Sequence, residues 1–566
     1  MSEIGPYRCR ACGFVVLVVL LAAACAPGRS SSPESGGQTS PSAPSRALNI
    51  AVQFEPLYVV GKGLRHSGNS QRMTESMFNA GLVYQDEREL FHPHLAEALP
   101  ELNTDAWRVF PDGSMETAYR LKPDLTWHDG TPLSADDWVF SFQVYSNPDL
   151  GAASTPPQGL IAEIQAPDAR TVVVRWKRPF PDADALDARA LPALPRHILA
   201  EPFTRSDADA FASHTYWTRD FVGMGPFRLL AWEPGAYIDG AAFAGYVDGR
   251  PRIDRIHIVF IADQNTALAN FLAEAIDIVF DNFMRYQTTS ILEREWSRTN
   301  GGVVLRQLTG IRRSEVQLNP ERASPQAILD VRVRRAITHA TDRDALNEGL
   351  IDGQGAPAHT VVFPYVDYFP EVDRTITKYP FDPRRAEQLL NEVGYFRGAD
   401  GIFVSATAGR FTMQMWALNG TQNEAEVAAH ADMLRRLGLQ VSEYVIPAAQ
   451  VQDNQVRASF PGLANTSAGR VDQPITQNIP RAENRWQGNN RGSWSNPDFD
   501  RIIETWNRTL ARAERNALLV QAARMYSEEI PAIPLYYNVE VLPHVSALRG
   551  VIAPLTAYNA HLWELR

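Results

Sequence analysis

The chain has 566 residues, 45 % of them hydrophobic and 21 % charged, with 39 Pro and 36 Gly scattered throughout; this composition fits a folded protein of about three or four domains and excludes a disordered tail. A formal net charge of −11 repels polyanions, so no nucleic-acid partner is expected. Cys9, Cys12 and Cys25 are the three cysteines of the chain, which leaves the body without thiols for a disulfide framework, a Cys-ligated metal or a cysteine nucleophile.

In chain order, Arg8 and Arg10 precede the apolar run 14–24, FVVLVVLLAAA. A positive region ahead of a short hydrophobic one predicts a secretory signal over 1–24. As a helix this run spans about 16 Å, half of a bilayer core. LAAAC at 21–25 resembles the bacterial lipobox, with Ala22 where that pattern has Leu and Leu21 one position earlier. That resemblance implies a lipid on Cys25. Residues 25–46 are dominated by Ser, Pro and Gly and predict a flexible tether. A lipid anchor, a leash and an acidic body together predict an extracytoplasmic protein held at the cell membrane.

The body alternates strands and helices. ALNIAVQF at 47–54 reads as a strand, and TAYRL at 117–121 as another. Asp129-Gly130 signals a turn, after which Ser134 and Asp137 form a capping-box variant ahead of Trp138, Val139, Phe142 and Val144 on a helical face. His92-Pro93-His94 reads as an extended surface segment. Ile256, Ile258 and Phe260 alternate along a strand, Asn265 can cap the next helix, and IDIVF follows as a second strand. Arg332, Arg334 and Arg335 are expected outside a helix packed through Val333, Ala336 and Ile337. Asp382 with Pro383 begins a helix that Gly394 closes, and Gly438 stops another.

Motifs of the common hydrolases are missing. The sequence holds no G-x-S-x-G, no H-E-x-x-H and no S-x-x-K, so no enzyme is expected. A cell-envelope hydrolase using a carboxylate dyad is the enzyme alternative, because among 65 acidic residues such a dyad has no recognisable spacing.

Six segments in order carry a family resemblance: HPHLAEALP to WVFSF (92–142), FVGMGPFRLLAWEPGAYI (221–238), DRIHIVFIADQNTALANFLAEAIDIVF (254–280), DVRVRRAITHATDRDAL (330–346), YPFDPRRAEQLLNEVGY (379–395) and RGSWSNPDFDRII (491–503). Together they resemble the bacterial extracellular solute-binding proteins of family 5, the peptide, nickel and oligopeptide class that feeds ABC importers. The resemblance spans about residues 48–566. It implies a two-lobed, periplasmic-binding-protein-like α/β fold of type II, cluster C, with an extra inserted domain. One lobe is expected from 47–82, 222–309 and 538–566, the inserted domain from 83–221 and the second lobe from 310–537. The function it implies is capture of a solute, foremost an oligopeptide or dipeptide, in the cleft between lobes and delivery to the permease of an importer. The protein would act as a monomer without a cofactor.

Peptide-binding members carry an Asp for the peptide ammonium about 25 residues before the S-N-P block, a spacing that reaches Asp472 here, with Arg470 beside it. The neighbouring sequence ANTSAGRVDQPITQ lacks the aromatics that flank that Asp in the family. Asn465 and Trp416 are candidates for a neutral polar ligand such as an oligosaccharide, held by stacking and uncharged hydrogen bonds. Nickel-binding members need a suitably placed His. None stands between His430 and His544, so no metal is expected.

Overall fold

The computed structural model describes residues 47–64, 71–150, 156–451, 453–467 and 470–566. The expected signal and the whole expected tether, 25–46 with Cys25, lie outside the described residues. An 11-stranded sheet organises the body. Its main strands are β1 (Ala47–Val52), β2 (Phe227–Glu233), β3 (Tyr237–Ala242), β4 (Arg255–Phe260), β5 (Ile278–Val279), β6 (Gly302–Val316), β7 (Thr412–Leu418), β8 (Gln440–Ile446), β9 (Leu463–Ser467) and β10 (Ala532–Val545). They lie in the order β8-β7-β9-β6-β10-β5-β1-β4-β3-β2, and the short strand Ala356–Pro357 pairs on β10.

Strands β6 and β10 hold the two halves of this sheet together. They pair antiparallel from Gly302 opposite Val545 to Glu315 opposite Ala532, with register shifts between Leu308 and Gly310 and between Arg312 and Arg313. At about 3.3 Å per residue such strands reach more than 40 Å, long enough to enter both lobes. Leu542 of β10 joins a core of Ile50, Ile258, Phe271 and Ile278, whereas Ile533, Leu535 and Val541 join one of Val333, Leu390, Met415 and Leu434. A third cluster, with Trp107, Tyr119, Trp138 and Trp176, fills the segment that a four-stranded sheet builds between residues 107 and 176. Trp494, Phe499, Trp506 and Tyr526 centre a fourth. Part of the expected inserted segment, including Phe140, Leu194 and Phe211, packs into the core that holds Ile50 and Ile258.

The helices used below are α1 (Arg72–Phe78), α2 (Asp136–Tyr145), α3 (Gln264–Leu272), α4 (Val331–His339), α5 (Pro383–Glu392), α6 (Thr421–Leu437), α7 (Pro497–Trp506) and α8 (Arg512–Glu529). Asp382 caps α5 by accepting from Arg385 N, and Asn496 caps α7 through Asp498 N and Phe499 N. Helix α3 corrects the reading of Asn265: the cap is Asp263, whose carboxylate accepts from the amides of Asn265 and Thr266. Helix α2 follows Ala135 without a side-chain cap, and Asp137 reaches back to Ser134 N at 3.0 Å. On α4, Val333, Ala336 and Ile337 pack inward as expected, but Arg334 is buried as well. Its guanidinium donates to the carbonyls of Glu529, Ile328 and Leu329 at 2.8–3.1 Å; Glu529 ends α8, where the carbonyl lacks a partner within its own helix. His94 departs from its expected surface position too, being buried with Nε2 3.0 Å from the Tyr246 hydroxyl.

Candidate functional site

Two adjoining cavities flank the register shift of β6. One has about 140 Å³ and the other about 470 Å³ open to the centre of a water-sized sphere. They share Arg72, Glu89, Thr309, Tyr365 and Leu555, so they form one cleft. Volumes of a few hundred Å³ are those of small-molecule sites. The cleft is crossed by the Tyr365 hydroxyl, which donates to Glu89 Oε1 at 3.0 Å, and by Gln307 Nε2, which donates to the Glu87 carbonyl at 2.9 Å.

Close backbone approach builds one wall. A Cβ on Gly61 would lie 2.3 Å from the Ala188 carbonyl oxygen, and one on Gly81 2.3 Å from the Ala188 amide nitrogen. Only glycine allows the loop of Asp187, Ala188 and Arg189 to sit this close. Helix α1 stands beside that loop. Asp281, just after β5, caps it by accepting from Met73 N at 2.8 Å and from the Thr74 hydroxyl at 2.6 Å. Burial nevertheless pushes the Asp281 carboxyl up to about 6, against those hydrogen bonds. Glu75 lies one turn into α1, 7 % exposed. Burial pushes it up to about 7, opposed first by Arg189, whose Nε is 3.4 Å from Glu75 Oε2.

The facing wall is aromatic and acidic. The Tyr84 ring stacks on Tyr558 with centroids 4.7 Å apart and on His92 at 5.2 Å. The Tyr558 hydroxyl donates to Glu87 Oε2 at 3.1 Å, and burial pushes it up to about 12. Asp86 accepts from Arg88 N and Leu90 N and lies 2.8 Å from His92 Nε2. Its hydrogen bonds hold it below its usual range, although burial alone would raise it.

The residues singled out in the sequence fall elsewhere. Asp472 accepts from Arg470 Nε at 3.0 Å, and the Arg470 guanidinium lies 5.6 Å from the Trp506 ring centroid. Asn465 on β9 and Trp416 on β7 come together around a small space of about 20 Å³ that Glu315, Arg457 and Arg491 also line. The Trp416 ring lies 4.5 Å from that of Tyr444. None of these four residues lines the large cleft. Its walls come from stretches near 52–61, 71–94, 187–189, 281–285, 307–309, 363–365 and 555–558 and from Tyr246, so no contiguous motif marks it. The one local signal was Glu75 itself, a charge inside the apolar pattern of Met73, Met77 and Phe78.

Among the described residues, no group of three or more His, Cys, Asp or Glu could hold a metal ion, and no helix is long and apolar enough to cross a membrane.

Comparison with known proteins brings these features together. Residues 93–479 match the family described as bacterial extracellular solute-binding proteins, family 5 middle. The oligopeptide-binding protein AppA of Bacillus subtilis is 25 % identical over 439 residues, covering 76 % of this chain and 75 % of AppA. The structure of B. subtilis AppA in complex with a nonapeptide superposes with a TM-score of 0.67 at 22 % identity, over 93 % of this chain and all of AppA. That of NikZ from Campylobacter jejuni in complex with Ni(L-His) gives 0.71 at 20 % identity, over 92 % of this chain and all of NikZ.

Proposed function

This chain belongs to the bacterial extracellular solute-binding proteins of family 5, and from that premise we propose that it captures a peptide-like solute in the cleft and hands it to the permease of an ABC importer. The observation that carries this reading is the cleft of about 470 Å³ beside the bulged strands β6 and β10. A solute there touches both lobes only when they are shut, so binding favours the closed state and shifts the population toward it. In support, the relative of known structure that binds a nonapeptide shares the fold over its whole length.

The lobes would comprise 47–82, 222–309 and 538–566 on one side and 310–537 on the other, with 83–221 inserted. This division puts the register shift at Leu308 and Gly310 at its first crossing. Asp472, which accepts from Arg470 Nε at 3.0 Å, would lie apart from the walls of the cleft. Asn465 and Trp416 would form a separate polar pocket in the second lobe. At the membrane, a lipid on Cys25 and a tether to residue 46 would keep the protein near its permease.

Mass spectrometry of the solute released when freshly purified protein is denatured tests the reading. A peptide or peptide-like compound at near one equivalent is expected. An oligosaccharide at that stoichiometry would contradict the peptide assignment.

A further inference from the structure

We infer that the cleft wall formed by α1 and the loop 187–189 is a subsite for a cationic group of the captured solute, an ammonium or guanidinium, with Glu75 as the carboxylate that meets it. This rests on the cleft being the capture site. The smaller cavity is lined by five carboxylates, Glu75, Asp86, Glu87, Glu89 and Asp187, against the two guanidiniums of Arg72 and Arg189. Most of those carboxylates are already engaged by donors of the protein. Asp86 accepts from two amides, Glu87 from Tyr558, Glu89 from Tyr365, and Asp187 from the amides of Arg189 and Ala190.

Glu75 differs from them. It is 93 % withdrawn from solvent, and its Oε2 is a buried oxygen that accepts no hydrogen bond. Arg189 supplies charge at 3.4 Å without filling that acceptor. A buried carboxylate oxygen left unfilled is costly, and a charge-assisted hydrogen bond from a ligand is the strongest way to fill it. The stacked pair of Tyr84 and Tyr558 lines the same cavity and offers ring faces to the same cation. An anionic group would instead meet the surplus of carboxylates.

The test is calorimetry on the full chain freed of endogenous solute, with three probes: Ala-Ala-Ala, N-acetyl-Ala-Ala-Ala and N-acetyl-Lys-Ala-Ala. The two probes that carry a cation are expected to bind at least tenfold more tightly than N-acetyl-Ala-Ala-Ala. In Glu75→Gln that advantage should fall below threefold while the affinity for N-acetyl-Ala-Ala-Ala stays within twofold. If Glu75→Gln does not fold, the wild type with N-acetyl-Lys-Ala-Ala and N-acetyl-Ala-Ala-Ala at pH 5.5 and pH 8 keeps the inference open to refutation: the advantage should grow with pH as the carboxyl ionises, and one that does not grow would overturn it. Equal binding of all three probes by the wild type, or an undiminished advantage in Glu75→Gln, would overturn the cation subsite and leave capture of peptides standing. Failure of every probe to bind would overturn peptide capture and the subsite with it.

Discussion

Glu75 and Asp281 meet at the first turn of α1, where a helix N-terminus ordinarily favours negative charge. Burial outweighs that preference for both, raising Glu75 from 4.5 to about 7 and Asp281 from 3.8 to about 6. A carboxyl whose folded value is raised holds its proton in the folded state after the unfolded chain has lost it. Stability therefore falls as pH rises from the unfolded value to the folded one and is flat above it. For Glu75 the window runs from about 4.5 to about 7, and the loss is on the order of 3 kcal/mol. We predict that Glu75→Gln is more stable than wild type at pH 8, by on the order of 1–3 kcal/mol, and equal to it at pH 4.5, as read by urea unfolding. Equal destabilisation at both pH values would show that the carboxylate is held by favourable contacts instead. Arg72, Arg189, Asp187 and Asp281 are the charges that face Glu75. Because they leave it near 7, its preference for N-acetyl-Lys-Ala-Ala, whose ammonium stays charged throughout, should strengthen from pH 5.5 to pH 8.

Among the elements, helix ends were the best-read features. Asp382 ahead of Pro383 and Gly438 after α6 each mark a boundary by local chemistry, and the structure places them there. One misreading was also local. Asp263 and Asn265 are both competent caps, and only the observed extended backbone of Asp263 decides between them. Asp263→Ala should cost about 1 kcal/mol in chemical denaturation, and Asn265→Ala less than about 0.5 kcal/mol. The reverse order would put the start of α3 two residues later. Arg334 was misread because a guanidinium is recognised as buried only when its acceptors are known, and these come from residues 328, 329 and 529. Strand β10 runs unbroken into both cores, which the sequence does not reveal, since partner and register are set by β6.

At the scale of the molecule, the two-lobed α/β fold was legible from six ordered segments, while the cleft was not. Its walls unite separate stretches between residues 52 and 558, and none of them is dense in unusual residue types. Asp472, Arg470, Asn465 and Trp416 were picked by spacing and residue type, which say nothing of the side of the fold they reach. The proposed lipid anchor is a separate matter of the first 46 residues. If Cys25 carries the lipid, Cys25→Ser should move the protein from the membrane fraction to the soluble one. Retention of the variant in membranes with its apolar run 14–24 intact would make that run the anchor instead. The central claim is that a solute shuts the two lobes about β6 and β10. Small-angle scattering of the stripped protein, without and then with its own released solute at saturation, measures this most directly. The account predicts a smaller radius of gyration with solute; an unchanged scattering profile at saturation would contradict it.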